Sequence, residues 1–160
     1  MKTNAIFQKI IQAFSLDIPY VQTLLNVSGI ELGEQQIAKL LKREGEGGFK
    51  SMPDYVLAIF LNNFINERRG RTADGEESIN KRQKLSNNDV LKKLRVAFNL
   101  HEKDVRDVLS LATIELTKSD LSALFRKSGN SHFKACDDEL LIDFIEALGQ
   151  WLQQKQNAEH

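Results

Sequence analysis

Laid on itself at an offset of 84 residues, the chain matches without a gap, residues 3–70 falling on residues 87–154. Ala13-Phe14-x-Leu16 returns as Ala97-Phe98-x-Leu100, and Ile30-Glu31-Leu32 as Ile114-Glu115-Leu116. Gly45-x-x-x-Phe49-Lys50 returns as Gly129-x-x-x-Phe133-Lys134, and Asp54-x-x-Leu57-x-x-Phe60 as Asp138-x-x-Leu141-x-x-Phe144. Seventeen of the 68 aligned pairs are identical, and most other apolar positions are apolar in both copies. The chain is therefore a tandem duplication, and whatever one copy folds into, the other does too.

Each copy carries four helical stretches. In the first, apolar residues fall at Ile6, Phe7, Ile10, Ala13 and Phe14, and again at Val90, Leu91, Leu94, Ala97 and Phe98. That spacing is one stripe of a 3.6-residue helix, which puts Phe14 and Phe98 in the core. Asn4 and Asn88 are expected at its N-caps, where a side-chain oxygen takes an orphan N–H. The second stretch covers Ile18–Val27 and Glu102–Leu111, with Pro19 in the first turn, where a missing N–H costs nothing. The third runs over Glu34–Arg43 and Lys118–Lys127. Thr117 and Asp120 form a capping box at the start of its second copy. Gly45 and Gly129 are placed to end it in the left-handed conformation. The fourth, Pro53–Asn66 and Asp137–Leu152, is apolar around most of its circumference in the first copy, the mark of a helix buried between layers. No stretch alternates in the manner of a strand. The expected fold is all-α: two four-helix units, about eight helices, related by a pseudo-twofold with the fourth helices where the copies meet. A homodimer interface on those same helices is the alternative.

The division predicted is a first repeat over 1–70, a charged connector over 71–86, a second repeat over 87–154 and a tail over 155–160. The 22 basic and 22 acidic residues cancel, so the net charge of a dedicated nucleic-acid or anionic-membrane binder is missing. One cysteine, Cys136, forms no internal disulfide and fits a reducing compartment. The longest apolar run, Tyr55–Leu61, is far short of the ~20 residues that span a bilayer. With no apolar signal core at its start, the chain is expected to be soluble and cytoplasmic, with no membrane partner.

The loop after the third helix is the foremost candidate for function. It reads Lys42-Arg43-Glu44-Gly45-Glu46-Gly47-Gly48-Phe49-Lys50 and, again, Arg126-Lys127-Ser128-Gly129-Asn130-Ser131-His132-Phe133-Lys134. Cations and an aromatic around a glycine turn suit phosphate contact and base stacking. The competing reading is structural: Lys and Arg complement the helix C-terminus, and the phenylalanines pin the loop. Acids at the start of the next helix (Asp54; Asp137 and Asp138) hold the helix end that a phosphate would need. His132-x-x-x-Cys136-Asp137 sets potential metal ligands or a thiol–imidazole pair close together. A zinc site wants about four suitable ligands, however, and the first copy has Gly48 and Met52 at these positions. Neither Walker-type nor dinucleotide glycine motifs are present, and no cofactor is expected. Glu31 and Glu115 are read as capping or pairing at a helix–helix turn.

Two segments of the second copy resemble one family. Asn87-Asn88-Asp89-Val90-Leu91-Lys92-Lys93-Leu94-Arg95-x-Ala97-Phe98-x-Leu100 and Leu121-Ser122-Ala123-Leu124-Phe125-Arg126-Lys127-x-Gly129 are similar to the bacterial YehS-like proteins, in which a domain of about 70 residues occurs twice. Phe60-Leu61-Asn62-Asn63-Phe64 through Gly70 fits the same pattern, as does Phe133-Lys134-x-Cys136-x-Asp138. The resemblance implies a small bacterial protein and carries no activity with it. Because the first copy has Ala5 and Glu44 where the second has Asp89 and Ser128, it directs attention to the second copy. The function expected is a non-enzymatic binding or adaptor module with a protein partner. Nucleic-acid binding through the two basic loops is the alternative, and a metal or cysteine enzyme around His132 and Cys136 the last.

Overall fold

A computed structural model of the protein describes residues 2–70 and 79–158. Among them lie eight α-helices and no strand, divided into two compact units at Leu85–Ser86. The first unit holds α1 (Lys2–Ala13), α2 (Ile18–Val27), α3 (Glu34–Leu40) and α4 (Asp54–Arg69). The second holds α5 (Asn87–Ala97), α6 (Glu102–Leu111), α7 (Lys118–Leu124) and α8 (Asp138–Ala158). The duplication read from the sequence is thus a duplication of structure. Within the units, α2 packs on α3 and α4, and α6 packs on α8. Residues 79–86 of the connector are non-helical, and the rest of it lies outside the described residues.

Local chemistry explains where the helices begin and end. Asp17 accepts from the Tyr20 N–H at 2.9 Å, with Pro19 one residue inside. Ser86 and Asp89 form a reciprocal box, as do Thr117 and Asp120. The C-termini of α1, α2, α5 and α6 close by a shared device. Ser15, Gly29, Asn99 and Thr113 take positive φ, and the next residue donates back five positions, as Leu16 does to the Ile11 carbonyl at 3.0 Å. The glycines expected to stop the third helices do not. They end at Leu40 and Leu124, three residues before the predicted ends, with Leu41 and Phe125 as caps, and Gly45 (φ 95°) bends the loop beyond. Gly129 does not adopt positive φ at all. In the other direction, α8 runs six residues past the expected Leu152, its last turn closed by Lys155 over the Trp151 ring at 4.6 Å.

Asn4 and Asn88 are not caps either. Both sit inside their helices, 1% and 4% exposed, and each ties three parts of its repeat together. The Asn4 amide donates to the carbonyls of Leu40 (3.0 Å) and Lys50 (2.9 Å), while its oxygen accepts from the Met52 N–H (2.8 Å). Asn88 does the same with Leu124 (2.9 Å), Lys134 (2.9 Å) and Cys136 (2.9 Å). These bonds explain the early end of α3 and α7. Carbonyls that another helical turn would have used are taken from outside: Leu40 by Asn4, Ala123 by the Lys134 N–H (3.1 Å), Lys42 by Gln8 (2.9 Å) and Arg126 by Lys92 (3.3 Å).

Around this bracket the apolar stripes close as expected. Phe7, Ile10, Leu25, Ile37, Leu57 and Phe60 are fully buried in the first unit, Phe7 and Phe60 meeting edge to face at 5.5 Å. Val90, Leu94, Val108, Leu124, Leu141 and Phe144 repeat the pattern in the second. Phe14 and Phe98 depart from it. Lying where α1 and α5 end, they are only half-buried, Phe14 stacked on Phe64 at 6.2 Å.

Two outcomes are expected. Asn88→Ala leaves three buried backbone groups without partners and should cost about 3 kcal/mol or more in denaturant unfolding. Asn88→Asp, nearly isosteric but unable to donate, should cost at least as much; a loss below ~1 kcal/mol in both would contradict the bracket. Thr113, a β-branched residue at φ 56°, holds a strained conformation that Gly29 occupies freely in the first copy. Thr113→Gly should therefore raise stability by about 1 kcal/mol in the same assay.

Candidate functional site

The loops after α3 and α7 share one backbone course. Two successive turns, Glu46 N–H to the Arg43 carbonyl (3.0 Å) and Phe49 N–H to Glu46 (3.1 Å), recur as Asn130 to Lys127 (2.9 Å) and Phe133 to Asn130 (3.0 Å). The Lys50 and Lys134 N–H groups then return to the third helix of each copy. These N–H groups are spent within each repeat and are not open to an anion. Phe49 and Phe133 are half-buried, in keeping with a role in anchoring the loop.

The cations of these loops go separate ways. Lys42 Nζ folds back onto the Gly47 carbonyl at 2.8 Å, and Lys134 Nζ lies 3.9 Å from the Asp120 carboxylate. Arg43, Lys50 and Lys127 are exposed, and no carboxylate among the described residues pairs with them. Arg126 lines a groove that Lys127, Phe133 and Lys134 do not reach.

That groove, about 620 Å³ in volume, belongs wholly to the second unit and is lined from α5, α6 and α7. Its cations are Arg95, Lys118 and Arg126; its hydroxyls are Ser119 and Ser122; its apolar floor is Leu121 and Phe125. Arg95 is fixed twice. Its Nε donates to the Leu100 carbonyl at 3.0 Å, and its guanidinium lies 4.5 Å over the Phe125 ring. Both terminal amino groups stay free of protein partners among the described residues. Lys118 and Arg126 side chains likewise meet no carboxylate there. The one acid in the lining, Glu102, is bound by Arg106 at 3.0 Å. A guanidinium held rigid with its donors open is built to take a carboxylate or phosphate in two-pronged fashion.

Neither Arg95 nor Lys118 is among the residues the sequence singles out. The signal lay in the differences between the copies rather than in the likeness. Arg95 stands where the first copy has Ile11, Lys118 where it has Glu34, Ser122 where it has Ala38, and Phe125 where it has Leu41. Lys118 and Ser122 are also spaced four apart and share one side of α7, while Arg126 follows just past its end.

The remaining candidates are dispersed. His132 is exposed, while Cys136 is buried with its N–H on Asn88 and its Sγ 3.5 Å from the Asp137 carbonyl. No group of three or more His, Cys, Asp or Glu among the described residues is placed to hold a metal ion. Asp137 accepts from the Leu140 N–H at 2.7 Å, a helix-capping bond. Glu31 and Glu115, expected to cap or pair, are exposed and do neither among the described residues. In the first unit, burial and then Glu67 raise the Tyr20 phenol above its ordinary 10.0, against the opposing charge of Arg68. Tyr20 packs edge-on against Phe64, a structural position.

No helix among the described residues is long and apolar enough to cross a membrane. Comparison with known proteins agrees with the duplication. The family model described as "Protein of unknown function (DUF1456)" matches residues 3–70 and again 87–153. The chain is also 34% identical over 125 residues to "Uncharacterized protein YehS" of Escherichia coli (strain K12), covering 78% of this chain and 80% of that one. No solved structure matches it. A double match of this extent, on the repeats that the helices delimit, makes the chain a member of the DUF1456 family, carrying the family's domain twice.

Proposed function

We propose that the protein is a non-enzymatic binding module of the adaptor kind, in which the duplicated framework holds a ligand-recognising surface on the second repeat. The observation that carries this reading is the contrast between likeness and difference in the two copies. The asparagine bracket, the loop turns and the core repeat; of the three groove cations only Arg126 has a counterpart of like charge, Lys42. Ile11, Glu34, Ala38 and Leu41 serve the first copy at positions where the second has Arg95, Lys118, Ser122 and Phe125. The fold therefore does not need cations at the positions of Arg95 and Lys118. Arg95 and Glu102 are engaged with neighbours, but Lys118 and Arg126 do nothing for stability that the described residues reveal. A bacterial cytoplasmic setting goes with the reading, supported by the single buried cysteine and the Escherichia coli relative.

The second reading, nucleic-acid binding through both basic loops, draws on the exposed and unpaired Arg43, Lys50 and Lys127. The two readings separate on one variant. Giving the second copy the residues of the first (Arg95→Ile, Lys118→Glu, Ser122→Ala) should leave the helical spectrum intact and alter stability by no more than about 2 kcal/mol. In a binding panel of small anions, acidic peptides and single-stranded DNA at ~50 mM salt, the module reading expects an anionic ligand bound by the native chain and lost by the variant. Binding of DNA that survives in the variant and falls on neutralising Arg43, Lys50 and Lys127, with a salt slope reduced by about 0.7 per lost phosphate contact, would favour the loops instead.

A further inference from the structure

We propose that the groove between α5, α6 and α7 is a binding site for a phosphomonoester of a small molecule, with Arg95, Lys118 and Arg126 as the phosphate ligands. This deepens the module reading and rests on it. Three observations carry the choice of ligand.

The first is charge. The groove presents three cations and one carboxylate, and Glu102 is already met by Arg106 outside the lining. A doubly charged anion balances the surplus, whereas a single carboxylate leaves much of it unmet. The matching positions of the first copy hold one cation, Lys42, and one acid, Glu34, so the surplus belongs to this site and not to the fold.

The second is donor geometry. A phosphate offers three terminal oxygens in a tetrahedral array and is satisfied by donors converging from different sides. Here the groove draws on α5 (Arg95), on the first residue of α7 (Lys118) and on the residue just beyond its end (Arg126), and Ser119 and Ser122 line it too. Arg95, clamped by Phe125 and the Leu100 carbonyl, supplies the fork that matches two of those oxygens with little entropy left to lose.

The third is size. A volume of about 620 Å³ falls within the range of small-molecule sites, roughly 300–1,000 Å³, and exceeds what a bare phosphate fills. The remainder of the ligand lies against Leu121 and the Phe125 edge, with Glu102 on the rim able to accept from a ligand hydroxyl.

Amide and side-chain NMR titration of the full chain tests the assignment, using inorganic phosphate, a nucleoside 5′-monophosphate and glutarate at equal ionic strength. The expected result is saturable shifts confined to Arg95, residues 118–122 and Arg126, with the monophosphate tightest and glutarate weaker by about tenfold or more. Lys118→Glu, an exposed residue without partners whose change leaves folding intact, should weaken the monophosphate by at least about tenfold. Arg95→Met, a second variant, should do the same while the Phe125 ring resonances report the lost clamp. Shifts spread evenly over Arg43, Lys50 and Lys127 as well would mean diffuse charge attraction and overturn the site. Equal affinity for glutarate would overturn the phosphate assignment while the module reading stood. Groove resonances unmoved by all three anions would overturn the phosphate assignment, and the module reading would then fail only if acidic peptides also left them unmoved.

Discussion

A single buried side chain, used twice, organises each repeat: the asparagine at position 4 and its counterpart at 88. Asparagine is a poor choice for the interior of a helix, costing several tenths of a kcal/mol against alanine, and burying its amide is costlier still unless every donor and acceptor is met. Here they are met by backbone. Two carbonyls and one N–H, drawn from the end of the third helix and from the loop that follows it, close around the amide. The pattern of one acceptor and two donors fits no other side chain of that size except in part. Fixing the loop to the first helix this way sets where the fourth helix starts, and the fourth helix carries much of the core.

The bracket also accounts for what the sequence disclosed and what it concealed. Apolar periodicity located all eight helices, and the bounds of α2 and α6 agree with the structure, because those helices end on their own local signals. The third helices were overestimated because their ends are set by partners 32 to 36 residues away, Asn4 and Gln8 for α3. No window of local sequence contains that information. Asn4 and Asn88 differ from their expected capping role for a related reason: a polar residue near a helix start looks like a cap unless the carbonyls it will meet are already known. Gly129 misled in the opposite way. A glycine has freedom to take positive φ but no obligation to, and Asn99 and Thr113, which lack that freedom, are the residues held there.

The candidate site was half legible. Composition drew attention to Arg126 and its neighbours because they cluster in sequence, yet clustering in sequence is a poor guide on a turn. Successive residues point apart, and the structure sends Arg126 to the groove while Lys134 turns to Asp120. Arg95 and Lys118 give no signal in the sequence because each is ordinary on its own helix, a cation on a partly exposed face. Their meaning appears only when three elements converge and when the equivalent Ile11 and Glu34 are set beside them.

Duplication supplies a control that a single domain lacks. Where both copies keep a residue through otherwise free divergence, as at Asn4 and Asn88, packing and hydrogen bonding explain it. Where one copy departs and the fold remains unchanged, stability does not explain it. Arg95 is the instructive position, since it does both. Its guanidinium covers the Phe125 ring, and the corresponding positions of the first copy hold Ile11 and Leu41. Isoleucine and leucine serve those positions in the first copy without a charge. The second copy instead holds a guanidinium on an aromatic face, with its terminal donors open to a groove that Lys118 and Arg126 also line. Like charges lining one groove repel one another, and an anion bound among them would relieve that repulsion and gain affinity by it.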